Sequence, residues 1–190
     1  RPTQAKEPTR DLSQEIDCAT HEPDFSSGKT AVVKAPFGAY RESGDKGRLD
    51  FNLNADWFAY ILKTPSVQDL YLAEIEYPDD DYRVAIVSMV DRHPNPYAPT
   101  LGYASGGFYS LSNKMLKLDF YFYPREKDTR LLTETWLTGQ KAAMGKVRLY
   151  RLSGLPPALQ DANRERLFGG YQEENVRFTS YYGAMPTGNT

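Results

Sequence analysis

Two polar stretches of this sequence hold the mixture of side chains that recognises a saccharide. Residues 38–47, GAYRESGDKG, carry Tyr40, Arg41 and Glu42, and residues 91–99, DRHPNPYAP, carry Asp91, Arg92, His93 and Tyr97. A sugar ring offers C–H faces that pack on aromatic rings, while its hydroxyls want short polar partners. Both stretches read as loops, one rich in glycine and the other in proline, and loops on a rigid scaffold are where such mixtures are displayed. If the strands between them alternate direction regularly, both loops emerge at one end of the fold, giving seven candidate carbohydrate-binding residues. The same tyrosines and arginines have a structural use, ring packing and snorkelling over a sandwich end, and the residues alone leave both uses open.

Other chemistry is thinly supported. The chain has no phosphate-binding glycine loop, no G-x-S-x-G, no H-E-x-x-H and no dinucleotide fingerprint. With only His21 and His93 available, a histidine-based metal site or a Ser-His-Asp triad has few ways to form. His21 reads as structural, and no catalytic residue is assigned. Glu74 and Glu76 share one strand face and Asp79, Asp80 and Asp81 share one turn; a paired-acid glycosidase would use such carboxylates, but solvated strand face and turn chemistry explain them more simply. The three aspartates do not match the spacing of an EF-hand calcium loop. Cys18, the single cysteine, forms no internal disulfide and reads as a small semi-buried side chain. Trp57 and Trp136 stand in strand contexts and read as sheet packing.

The elements that must position these residues are strands. In 71–90, YLAEIEYPDDDYRVAIVSMV, Tyr71, Ala73, Ile75 and Tyr77 alternate with Glu74 and Glu76, the period of a half-buried strand. The second arm, residues 82–90, is apolar on both faces, and Pro78 with three aspartates makes the turn between them, so the sequence predicts a β-hairpin. Further strands are predicted over 30–37, within 48–62, over 100–111, 115–123, 130–137 and 146–152. In 115–123, MLKLDFYFY, Leu116, Leu118, Phe120 and Phe122 face the core, opposite Lys117, Asp119, Tyr121 and Tyr123. Many short strands separated by Gly, Pro and Asp/Asn turns, with no alternating long helices, predict an all-β antiparallel sandwich, best a jelly roll.

Three segments follow: an N-terminal arm or linker over 1–28, the sandwich over 29–155, and a tail over 156–190 with one short helix at 158–167. A formal net charge of −2 argues against nucleic acid as the main partner. No apolar run is long enough to span a bilayer, and the opening residues RPTQAKEPTR lack the apolar core of a signal peptide. The expected reading is a cytoplasmic protein or one whose leader has been removed, without a membrane partner.

The succession DWFAYIL, EIEYPDDDYRVAIVSMVD, YAPTLGYASGGFYSLSNKM, LDFYFYPREKDTRLL and KAAMGKVRLYRLSGLPP resembles the galactose-binding-like β-sandwich region of large secreted bacterial proteins that also carry glycoside-hydrolase-like catalytic domains. The resemblance covers roughly residues 30–157. It implies a secreted or periplasmic, non-catalytic accessory module that binds polysaccharide or oligosaccharide beside a (β/α)₈ catalytic barrel of the same polypeptide. It also implies loop-borne sugar binding at one end and, in many such modules, a structural Ca²⁺. No residue here matches a ligand motif closely enough to carry those roles over, so the seven candidates rest on loop chemistry. Two other readings stay open: a domain that docks a catalytic neighbour without binding sugar itself, and a polysaccharide-active enzyme.

Overall fold

The alternation at 71–77 places its apolar side in the core: Tyr71, Ala73, Ile75 and Tyr77 are fully buried. The computed structural model describes residues 8–48, 54–90, 100–107 and 110–154. Twelve strands occur among them: β1 (Arg10–Asp17), β2 (Phe25–Ser27), β3 (Ala31–Ala35), β4 (Gly38–Glu42), β5 (Trp57–Lys63), β6 (Tyr71–Pro78), β7 (Arg83–Val90), β8 (Thr100–Ser105), β9 (Met115–Phe122), β10 (Asp128–Thr135), β11 (Ala143–Met144) and β12 (Lys146–Leu152). All pairings are antiparallel. One sheet runs β1-β12-β6-β9, the second β2-β5-β10-β7-β8, and a small third sheet β11-β4-β3. In chain order, the eight long strands are β1, β5, β6, β7, β8, β9, β10 and β12. The first, eighth, third and sixth make one sheet and the second, seventh, fourth and fifth the other, which is jelly-roll order. The predicted all-β sandwich is the observed fold.

The two sheets close over one core. From β9 come Leu116, Leu118, Phe120 and Phe122, from β5 Phe58, Tyr60 and Leu62, and from β7 Ala85, Val87 and Met89. Tyr77 of the first sheet stacks on Tyr103 of the second, centroids 4.2 Å apart, so the aromatic pair bridges the layers.

Two expectations are corrected. β6 and β7 are not a hairpin: β6 pairs with β12 and β9, and β7 with β10 and β8, so the turn carries the chain from one sheet to the other. Asp79 explains the diversion. It is fully buried and accepts from Ser112 N (2.8 Å) and Ser112 Oγ (2.5 Å), tying the turn to the segment before β9 instead of to β7. Nor is 10–28 an arm: β1 pairs with β12 from Arg10↔Leu152 to Asp17↔Lys146, with a bulge between Leu12 and Gln14. The Gln14 side chain then reaches the other sheet, donating to Ile61 O (3.1 Å) and accepting from Lys63 N (2.9 Å), while Asp24 accepts from Ile61 N (2.7 Å). Beyond the short β2, these two side chains occupy the β5 edge in place of a strand. The helix expected at 158–167 lies outside the described residues.

Candidate functional site

Of the seven expected residues, Tyr40, Arg41 and Glu42 lie in β4 and not in a loop. Pro36 and Phe37 form the turn from β3, and Gly38 enters β4 at φ +142°. All three side chains are buried, at 2%, 3% and 8% exposure, so none is displayed to a ligand. Strand alternation sends them to opposite sides. Tyr40 and Glu42 meet Arg83, the first residue of β7. Its Nη2 donates to Asp80 Oδ1 (3.1 Å) and to the Tyr40 hydroxyl (3.3 Å), and its Nη1 to Lys141 O (3.0 Å) and Glu42 Oε2 (3.5 Å). The Tyr40 hydroxyl donates to Asp80 Oδ2, and Lys141 Nζ donates to Glu42 Oε1 (2.5 Å). Burial, then the bond to Asp80, raises the Tyr40 phenol well above its ordinary range. Burial alone would lower the Arg83 pKa, yet Tyr103, Asp80 and Tyr40 around it hold it raised. Arg41, on the other side of β4, donates to Cys18 O (2.9 Å), Thr30 Oγ1 (2.9 Å) and Glu22 Oε1 (2.7 Å). These arginines fasten the small sheet to the sandwich.

Asp91, Arg92, His93 and Tyr97 lie outside the described residues. The residue they follow, Val90, pairs with Arg130 at the far end of β7 from Arg83. Seven residue steps separate the two ends, roughly 23 Å of extended chain.

At the Val90 end the described residues form an open cleft of about 540 Å³. Its floor continues the first sheet: Leu152 N donates to Leu70 O (2.9 Å), and both side chains are buried in a cluster with Leu72 and Tyr121, against which Tyr123 and Tyr150 pack. This cluster lies on the outer face of the sheet, where Leu72 stands between Tyr150 and Tyr121 in the ladder. The walls are polar: Gln68 and Asp69 precede β6, Arg151 is near the end of β12 with Ser153 just beyond it, and Asp11 comes from β1. Asp69 Oδ2 lies 2.7 Å from Arg151 Nη2, and Arg151 stays half exposed. Ser153 is held by Thr9, through Ser153 N to Thr9 O (3.1 Å) and Thr9 N to Ser153 Oγ (2.9 Å). A partly exposed ring, Tyr123, and fixed polar partners are the chemistry sought in the two polar stretches, built here from other residues over a buried leucine floor. The signal for it was in the strands. Leu70, Leu72, Tyr121, Tyr123, Tyr150 and Leu152 occupy positions where period-2 alternation calls for solvated side chains.

Among the described residues, no three His, Cys, Asp or Glu side chains are grouped to hold a metal ion. The turn carboxylates face protein donors: Asp79 faces Ser112, Asp80 faces Arg83 and Tyr40, and Asp81 accepts from Tyr82 N (2.7 Å).

No protein-family model matches the sequence, and no curated protein matches it. Among solved structures, the chain is similar to a family GH115 4-O-methyl-α-glucuronidase with specificity for decorated arabinogalactans, at 13% identity and TM-score 0.47 over 79% of this chain. It spans 18% of that protein's length. It is also similar to a CBM6 module from Clostridium stercorarium in complex with cellobiose (10% identity, TM-score 0.42, 75% of this chain and 94% of that one). A β-1,3-glucan-binding CBM6 from Bacillus halodurans aligns at 13% identity and TM-score 0.42, over 74% and 96% of the two chains.

Proposed function

We propose that this chain is a non-catalytic carbohydrate-binding module whose glycan lies in the cleft between Leu70, Leu152 and Tyr123. The observation that carries this reading is the cleft itself: the partly exposed ring of Tyr123 beside polar walls from Asp11, Gln68, Asp69, Arg151 and Ser153. Its volume, about 540 Å³, falls within the roughly 300–1,000 Å³ of small-ligand sites. A pyranose packs its C–H face on the Tyr123 ring while its hydroxyls donate to the carboxylates and accept from Arg151 and Gln68. The cleft lining contains no histidine, cysteine or lysine, and one of its two carboxylates is already paired with Arg151. That composition suits holding a sugar better than cleaving a bond to it. In this reading the module is a secreted accessory to a polysaccharide-degrading catalytic domain.

The test is calorimetric binding of the 190-residue chain to cello-, laminari- and arabinogalacto-oligosaccharides, with released sugar assayed in parallel. Saturable binding without release, lost in Arg151→Ala, is the expected result. Sugar release by this chain alone would make it an enzyme. A folded chain that neither binds nor releases sugar would favour the domain-docking reading.

A further inference from the structure

At the opposite end of the sandwich from the cleft, Tyr82 stands out among the large apolar side chains. It is 49% exposed, yet its position is tightly specified. Arg83 pairs with Ser105, which brings Tyr82 opposite Gly106. Gly106 and Gly107 both adopt left-handed backbone, φ +71° and +62°, and lie directly against the ring. A β-carbon on Gly106 would come within 3.0 Å of Tyr82 Cα, and one on Gly107 within 3.1 Å of the ring atom Cε2. Both the conformation and the contact therefore call for glycine. The chain on either side of Tyr82 is fixed as well. Asp81 O accepts from Ser105 Oγ (2.5 Å), and Arg83 is anchored in its buried network. A ring seated on backbone, held at both flanks and left half open to solvent has already lost the conformational freedom that a ligand would otherwise have to remove.

We infer that Tyr82 is a second saccharide platform, on which the C–H face of a neutral pyranose stacks, independent of the cleft. The ligand class rests on the saccharide reading of the cleft; the platform geometry does not. β6 and β7 separate the two sites by the length of the sandwich, roughly 23 Å, so a short oligosaccharide fills one at a time. A polysaccharide engages both, and its apparent affinity gains from the second contact without any new chemistry.

The test is an amide NMR titration of the 190-residue chain with cello-, laminari-, xylo- and galacturonan hexaoses, followed by pull-down on the corresponding insoluble polysaccharides. Saturable shifts of the Gly106 and Gly107 amides, separate from those of Leu70 and Leu152, are expected with a neutral hexaose. Tyr82→Ala should abolish the first set, preserve the second and weaken retention on polymer at least tenfold, whereas Tyr82→Phe retains both. Shifts confined to Leu70 and Leu152 would overturn the platform and leave the cleft standing. Shifts confined to Gly106 and Gly107 would do the reverse, and a well-dispersed spectrum that no hexaose perturbs would overturn both.

Discussion

The two ends of this sandwich spend the same residue types in opposite ways. At one end Arg83 is 3% exposed and has a donor on each of four neighbours, Asp80, Tyr40, Glu42 and the Lys141 carbonyl. At the other, Arg151 is 54% exposed and paired with Asp69, 2.7 Å away. Both are arginines beside carboxylates, and sequence alone would give them the same description. The difference lies in what water can still reach. A guanidinium surrounded by protein acceptors is committed to holding the fold, while one with half its surface in solvent retains donors for a ligand. Charge in a sequence marks polarity; only burial decides whether that polarity serves the fold or a ligand.

Replacing each arginine separates these roles. Arg83→Met leaves the half-buried Asp80 without its cation and Glu42 with Lys141 alone, and breaking a buried pair costs about 3–5 kcal/mol. Urea unfolding should show a loss of that size, with oligosaccharide binding to the surviving folded fraction unchanged. Arg151→Ala should do the opposite. Its ion pair is exposed enough that its worth to stability is only ~0–1 kcal/mol, so the urea midpoint should stay within error while cleft affinity falls about tenfold, ~1.4 kcal/mol. If Arg151→Ala instead unfolds the protein with affinity intact, the contrast between the ends collapses.

The sandwich itself was legible because its signals are local. Leu116, Leu118, Phe120 and Phe122 declare a buried strand face within eight residues, and the structure buries all four. The misreadings share one cause, partners far away in the chain. Tyr40, Arg41 and Glu42 look like a solvated loop until Arg83, Asp80, Cys18 and Glu22 close on them from segments 19 to 43 residues distant. The turn at 78–82 signals a reversal, but Asp79 chooses the sheet by bonding Ser112, 33 residues on. The cleft is assembled from residues 11, 68–70, 123 and 151–154, so no window of sequence contains it. Its one local trace was the run of apolar residues on the wrong face of otherwise alternating strands.

Between the two ends, the buried titratable groups near the small sheet set a third, smaller effect. Burial raises the Cys18 thiol from 9.0 to about 12, and burial likewise raises the Tyr103 phenol from 10.0 to about 12, where its hydroxyl bridges Ala143 O and N at 2.7 Å each. For a group whose folded pKa is raised, the folded state binds the proton more tightly. Its stabilisation is complete below the unfolded pKa and is lost as pH climbs towards the folded one. Stability should therefore begin to fall near pH 9 through Cys18 and more steeply above pH 10 as the raised phenols of Tyr103, Tyr40 and Tyr60 join, by about 1 kcal/mol per pH unit per group. Urea midpoints from pH 7 to 11 measure this, and Cys18→Ala should flatten the profile between pH 9 and 10 and make it shallower from pH 10 to 11.

The smallest expected effect sharpens the comparison most, because it involves an ion pair at the buried end. Arg41 is 3% exposed and reaches Glu22 Oε1 at 2.7 Å, a geometry that on distance alone matches the Arg151–Asp69 pair. Glu22, however, is 80% exposed, so water screens the attraction and replaces the carboxylate readily when it is removed. Arg41 would still donate to Cys18 O and Thr30 Oγ1, at 2.9 Å each, and so would not be stranded. Glu22→Ala should then cost less than ~1 kcal/mol in urea unfolding, with the loss shrinking further at 1 M salt. A cost approaching that of Arg83→Met would mean that the exposed partner, and not the buried guanidinium, governs how firmly the small sheet is held.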